Sequence, residues 1–269
     1  VAPFDGSAYP PLDPELFEDV ILFLKDKFHL TSFGDVYSES LVRLDKPKLI
    51  MSFDDGYKDF VEYAIPILHK HDIRVNQNII PWCVDTGLPP VNVMLQDFIG
   101  NAPWELIKRL PLNLDFNIRS RSKLGRQASS GVKYLSGKSF YDAREALVGF
   151  MSNYPEFFCA RMMSKDEVLE VLSIHEIGAH SYEHLSMAQQ SDEYFRADLM
   201  KCRNYFSQDL NYSCGIYAFP NGSAKPEQVK QALDFGYKKV LLVGECYSSQ
   251  AGNVFNRFTF DAKSISEAR

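Results

Sequence analysis

The 269-residue sequence has no run of 18 apolar residues, so no stretch of it reads as a transmembrane helix. No signal peptide is evident at its start. Cysteine is sparse: Cys83, Cys159, Cys202, Cys214 and Cys246 lie far apart, and none forms a C-x-x-C. An odd, scattered set excludes a disulfide framework and favours a reducing, cytoplasmic setting. The chain begins at Val1 rather than Met, so an extracytoplasmic place is the expectation if an upstream segment was removed. Positive charge is also short, with 29 Lys and Arg against 35 Asp and Glu, a net −6. That argues against a general nucleic-acid binder, which carries a basic footprint. No internal repeat or low-complexity segment occurs. Histidine is scarce too: there are six, and none follows His184.

What is present suits one large α/β domain spanning residues 1–269. Hydrophobic residues make up 45%, and a barrel of this length buries a sizeable core. Asp13-Pro14-Glu15 opens a helix whose Phe17, Val20, Ile21, Leu24 and Phe28 share one face. Residues 48–53 read as a short buried strand and 57–69 as a helix bent at Pro66. A strand follows over 74–80. The same alternation returns late, with strands at 176–180, 216–219, 239–243 and 254–260 and helices at 192–210 and 226–235. Alternation of this kind is the signature of a parallel sheet or barrel.

The middle, about 92–170, breaks the pattern and reads as a helical insert. Ser164-Lys165-Asp166-Glu167 has the form of a capping box there. Between residues 117 and 141 stand Arg119, Arg121, Lys123, Arg126, Lys133 and Lys138, with no acid. A solvated loop is the first reading. A basic lip over the site, meeting an anionic substrate, is the second.

Three short stretches each follow a predicted strand: Asp54-Asp55-Gly56, His180-Ser181-Tyr182-Glu183-His184 and Pro220-Asn221-Gly222. In parallel α/β folds, ligands gather at the carboxyl ends of strands. Taken singly, each stretch is commonplace as a turn or as surface decoration. Together they give two imidazoles and a carboxylate, a donor set for a divalent transition metal that leaves a position open. A cation would also offset the cost of two adjacent carboxylates. The second stretch matches H-x-x-E-H, an inverted zinc-protease signature, as well. That signature needs an α-helix, whereas a strand-like pattern leads in here, and it leaves Asp54 and Asp55 unused.

On these residues the chain resembles the polysaccharide deacetylase family (NodB homology, carbohydrate esterase family 4). Ser52-Phe53-Asp54-Asp55-Gly56 is similar to its T-F-D-D-G, His180 to His184 to its H-[ST]-x-x-H, and Ala218-Phe219-Pro220-Asn221-Gly222 to its R-x-P-x-G. The resemblance covers about 49–82 and 176–260; the helical insert is similar to one in members associated with surface-glycan synthesis. It implies a distorted (β/α)₇ barrel and metal-dependent deacetylation of a carbohydrate substrate. It also implies Asp54 as catalytic base, Asp55, His180 and His184 as metal ligands, and the Asn221 N–H as an oxyanion donor. Zn²⁺ is the expected metal, with Co²⁺, Ni²⁺ or Mn²⁺ as alternatives.

Two departures stand out. Ala218 occupies the place of the arginine that steadies the base in the family; Arg257, on the last predicted strand, is the expected substitute. The late L-x-x-H that supplies a general acid has no counterpart. His29, His69, His71 and His175 read as helix or strand-edge residues. Beside the deacetylase reading stand a related hydrolase of non-sugar amides and a catalytically weak glycan-binding module.

Overall fold

The computed structural model describes residues 12–36, 45–244, 246, 248 and 252–260. Its first helix, α1 (Pro14–Lys27), starts where Asp13 accepts hydrogen bonds from the N–H groups of Glu15 and Leu16 at 2.8 and 3.2 Å. Such a cap is worth about 1 kcal/mol. Phe17, Val20 and Ile21 form its buried face.

Among the described residues eight strands follow one another with parallel pairing throughout: β1 (His29–Thr31), β2 (Lys48–Ile50), β3 (Ser52–Phe53), β4 (Asn76–Ile79), β5 (Glu176–Ala179), β6 (Ile216–Ala218), β7 (Lys239–Val243) and β8 (Val254–Arg257). β1 pairs with β2, and β3 to β8 form one sheet in sequence order. Only Met51 separates β2 from β3, so one chain segment bridges both sheets. The sheet curls into a half-barrel; among the described residues no ladder joins β8 to β1. Side chains span that gap instead. Phe33 and Phe255 meet edge to face at 5.0 Å, inside an apolar cluster with Ile216, Ala218, Leu241 and Ile50. Burying each large side chain there stabilises the curl by about 1.5–3 kcal/mol.

Helices α2 (Ile65–Lys70), α3 (Pro81–Thr86), α9 (Asp192–Asn204) and α10 (Pro226–Phe235) lie between the strands. The expected helix over 57–69 is divided. A π turn, Phe60–Ala64, leads into α2, and Pro66 falls in the first turn of α2. A proline has no N–H to give, and the first turn is where none is required. The expected 192–210 helix likewise ends as α9 and a π turn, Tyr205–Asp209. The strand expected over 254–260 stops at Arg257.

Between β4 and β5 stands the insert: α4 (Val91–Asn101), α5 (Trp104–Ile107), α6 (Arg121–Lys133), α7 (Gly137–Met151) and α8 (Lys165–Leu172). Ser164 and Glu167 form the expected capping box at α8. The basic segment is not a solvated loop. Most of it is α6, whose Leu124, Ala128 and Val132 are buried, and Arg121 donates to the carbonyls of Ile99, Gly100 and Ala102 at the end of α4. The charge count suggested solvent; the apolar stripe and the unsatisfied α4 carbonyls decided otherwise. One continuous core takes in α1, the insert and the strands, from Phe17 through Phe98 and Leu147 to Val240.

Candidate active site

Asp54 and Asp55 leave the end of β3, His180 leaves β5, and Pro220–Gly222 leaves β6, all at the carboxyl edge of the sheet. The topology therefore brings together segments about 125 residues apart. Asp55, His180 and His184 each offer one atom within 4.8 Å of the others. Asp55 Oδ1 lies 3.5 Å from His180 Nε2 and 3.3 Å from His184 Nε2. That oxygen is buried and has no hydrogen-bond partner among the described residues.

His180 Nδ1 lies 2.8 Å from the Ala218 carbonyl oxygen. A carbonyl only accepts, so Nδ1 carries a proton, and Nε2 is the ring nitrogen turned toward Asp55. His184 Nδ1 has no protein partner among the described residues. Burial lowers the His184 imidazole to about 4, against a partly offsetting pull from Asp55, so it is neutral near pH 7. Two imidazole nitrogens and an orphaned buried carboxylate oxygen form a set that suits a divalent cation of the zinc type.

Asp54 is the acid beside this set. Its Oδ1 accepts from Arg257 Nη1 at 2.7 Å and from Asn78 Nδ2 at 2.8 Å, and its Oδ2 accepts from Arg257 Nη2 at 2.8 Å. Arg257 also donates to Ser52 Oγ at 3.0 Å. Burial pushes the Asp54 carboxyl up, but His180, the Arg257 guanidinium and the Asn78 amide outweigh it and hold it well below the usual carboxylate range. Asp54 thus stays ionised and available to accept a proton. Arg257 comes from β8, yet it reaches Asp54 at the end of β3; Ala218 on β6, where the resemblance leads one to expect an arginine, is fully buried.

Asn78 was not singled out by sequence. The signal was Asn76-Gln77-Asn78, three amides in a strand that is buried throughout. Asn78 pairs in register with Gly178. A Cβ on Gly178 would collide with Asn78 Oδ1 and crowd Ile216 Cγ2 at 2.9 Å. Glycine there leaves room for the amide that holds the Asp54 carboxylate.

Asn221 lies in the left-handed region, φ 59°. The bonds of its turn run from Gly222 N–H to Phe219 and from Ser223 N–H to Pro220. Neither uses the Asn221 N–H. Gly222 fits because a Cβ would approach Val243 N to 2.6 Å. Asp55, Ser181, His184 and Asn221 are four of the six non-glycine residues with positive φ among those described. Each such residue costs about 1–3 kcal/mol, and strain of this kind gathers at functional sites.

Residues 180–184 are irregular rather than helical, so the protease geometry is absent. Glu183 turns to the insert: its carboxylate accepts from Tyr141 Oη at 2.7 Å, Arg144 Nη1 at 2.6 Å and Tyr194 Oη at 3.2 Å. Burial pushes it up, but Tyr141 and Arg144 outweigh that and hold it below its ordinary value. Lys133, one of the six residues of the basic segment, is half-buried at the end of α6. Burial lowers its ammonium, Asp55 opposes that, and its charge in turn lowers His184.

His71 instead pairs with Glu18, and His175 is buried against His69 and Phe60. All five cysteines are free thiols. Among the described residues no helix is long and apolar enough to cross a membrane.

Residues 151–240 match the polysaccharide deacetylase family model. That match holds His180, His184 and Asn221 but not Asp54 or Asp55. A search of curated proteins finds no match. Among solved structures, the chain is similar to the deacetylase PplD of Streptococcus pyogenes in complex with acetate, with TM-score 0.59 and 17% identity over 92% of this chain and 80% of that one. IcaB from Ammonifex degensii gives TM-score 0.60 and 12% identity over 97% and 91%. A de-N-acetylase from Aggregatibacter actinomycetemcomitans gives 0.55 and 13% over 94% and 87%. At these identities the likeness is one of fold. By sequence model over residues 151–240 the chain is similar to the polysaccharide deacetylase family, and over nearly its whole length it shares the fold of these solved structures.

Proposed function

We propose that this protein hydrolyses the acetamide of N-acetylated amino sugars in a glycan or glycan precursor, using a divalent metal held by Asp55, His180 and His184. The observation that carries the reading is a paired arrangement. A three-donor cluster shares one orphaned carboxylate oxygen, and the neighbouring carboxylate is kept ionised by Arg257 and Asn78. A divalent cation bound there, Zn²⁺ by donor type, polarises the acetyl carbonyl and lowers the pKa of water from about 15.7 toward roughly 7.

The chain's own residues do the rest. Asp54 takes the proton of the attacking water. Arg257 holds both Asp54 oxygens in a fork, which fixes the carboxylate plane. The Asn221 N–H donates to the developing oxyanion, and one such donor is typically worth about 10²–10³ in kcat. Asp54, once protonated, is the group at hand to return the proton to the leaving amine. Acetate and a free amino sugar result.

Acetate release from N-acetylated oligosaccharides tests the proposal. Dialysis against a strong chelator should abolish turnover, and Zn²⁺ or Co²⁺ should restore it. Asp54→Asn should bind metal yet lose about 10²–10⁴-fold in kcat. Full activity in metal-free protein, or in Asp54→Asn, overturns the assignment. Cyclic and non-sugar amides tried beside the N-acetyl sugars separate a deacetylase from an amide hydrolase on the same fold. Oligosaccharide binding without acetate release would favour a glycan-binding module.

A further inference from the structure

The insert touches both loops that carry the metal-ligand set. At the first loop the contact is backbone to backbone. Met163 N–H donates to the Gly56 carbonyl at 3.0 Å, and Lys58 N–H donates to the Arg161 carbonyl at 2.8 Å. Both bonds fall just after Asp55, whose φ is 74°. The segment just before Arg161 is held in turn by buried Asp97 on α4, which accepts from the N–H groups of Cys159 and Ala160 at 2.9 and 2.8 Å.

At the second loop the contact is Glu183, the residue between Tyr182 and His184. Its side chain is 6% exposed, and α7 supplies Tyr141 and Arg144 to it. Arg144 lies between aromatic rings, 5.2 Å from the Trp82 centroid and 5.0 Å from that of Tyr141, so its guanidinium has little freedom to leave.

The two histidines differ in what orients them. The His180 ring is fixed by the Ala218 carbonyl. The His184 ring has no protein partner at Nδ1, so its direction follows from the backbone, which is strained at Ser181 (φ 56°) and His184 (φ 60°). Metal-binding histidines are ordinarily oriented by a partner at the second ring nitrogen. Here the Ser181 Oγ bond to His184 N–H at 2.8 Å and the grip on Glu183 take that task. Without them, relaxation of two left-handed residues would turn the ring away.

We propose that Tyr141 and Arg144 are positioning residues for the metal site: by clamping Glu183 they hold the 180–184 loop in the strained form that aims His184 at Asp55. The helical insert is then a brace for the catalytic centre. This rests on Asp55, His180 and His184 binding a cation.

The test is direct Co²⁺ affinity of the full chain, read from visible absorption and from competition with a chromogenic chelator. The Tyr141→Phe/Arg144→Gln double variant should bind Co²⁺ about 10- to 100-fold more weakly than wild type, with altered band intensities. Tyr141→Phe alone, which removes one O–H, should weaken binding severalfold. Ile21→Ala, a core substitution in α1, should lower the melting temperature and leave Co²⁺ affinity unchanged. A folded double variant with wild-type affinity and spectrum overturns the clamp. If the double variant does not fold, unchanged affinity in Tyr141→Phe overturns it. An equal loss of affinity in Ile21→Ala also does so, since the effect would then be general instability. Wild type that fails to bind Co²⁺ would instead overturn the metal site on which the clamp rests.

Discussion

The half-barrel and the insert contribute to one site by different means. The half-barrel acts through backbone topology. Parallel strands in sequence order deliver Asp54, Asp55, His180 and Asn221 to one edge, whatever the details of the side chains between them. The insert acts through individual contacts: a pair of backbone bonds at Gly56 and Lys58, and a buried carboxylate at Glu183. The sheet decides where the loops emerge, and the insert decides how tightly they are held. Damage to the sheet side should therefore abolish chemistry, and damage to the insert side should tune it.

The largest effect that would break this contrast belongs to Arg257. Replacing it with Gln removes two charge-assisted bonds to Asp54 and should lower kcat about 10- to 100-fold, the equivalent of about 1.5–3 kcal/mol. Steady-state kinetics with metal saturating would show it. A change within twofold would mean that Arg257 only closes the sheet.

Gly178→Ala comes next. The added methyl meets Asn78 Oδ1 inside the sheet, so overpacking should cost about 1–3 kcal/mol of stability. Loss of the Asn78 bond to Asp54 should lower kcat severalfold. Melting curves and kcat measured together check both halves; a stability loss with no kinetic change would detach Asn78 from the base.

On the insert side, Lys133→Met removes a half-buried cation whose charge interacts with Asp55 and His184. It should reduce kcat/KM about threefold to tenfold, in keeping with roughly 1 kcal/mol of lost charge interaction. The loss should shrink as salt is raised. An effect as large as that of Arg257→Gln would make the insert a source of chemistry and end the contrast.

The smallest effect concerns stability against pH. Burial, with the charges of His69 and Arg74, lowers His175 to about 4 from an ordinary 6.5. In that window the unfolded chain binds the proton and the folded chain does not, so stability falls as pH falls from about 6.5 toward about 4. His175→Phe removes this contribution. Its melting temperature should drop less than that of wild type between pH 7 and pH 5, while acetate release at pH 7 stays unchanged. An identical drop in both proteins would show that His175 is not held neutral.

Some of this was legible from residue order. Asp54-Asp55, the two histidines and Pro220-Asn221-Gly222 each follow an apolar run, and the rule about strand ends was enough to predict that they meet. Arg257 could be named because a vacated position, Ala218, asked for a substitute, and the structure brings its guanidinium to Asp54. Asn78 was not singled out; its signal, three successive amides in one strand, names no role until the neighbours are known. Lys133 was read only as one member of the basic segment. The basic segment misled because a count of charges does not record which face of a helix they occupy; Leu124, Ala128 and Val132 share the buried one.

By itself, the sequence determined the periodicities and the chemistry: parallel strands alternating with helices, a helical interruption, and acids and imidazoles at strand ends. Those follow from local rules, namely which residues pack on a face and which types of atom bind a proton or a cation. Tertiary structure alone decided which distant groups touch. Asn78 reaches Asp54 because position 178 has no side chain, Arg257 crosses the open seam of the sheet, and Glu183 turns from the Asp55, His180 and His184 cluster to Arg144. Contacts of that kind depend on register and on the room left by neighbours, and neither quantity is written in any single stretch of the chain.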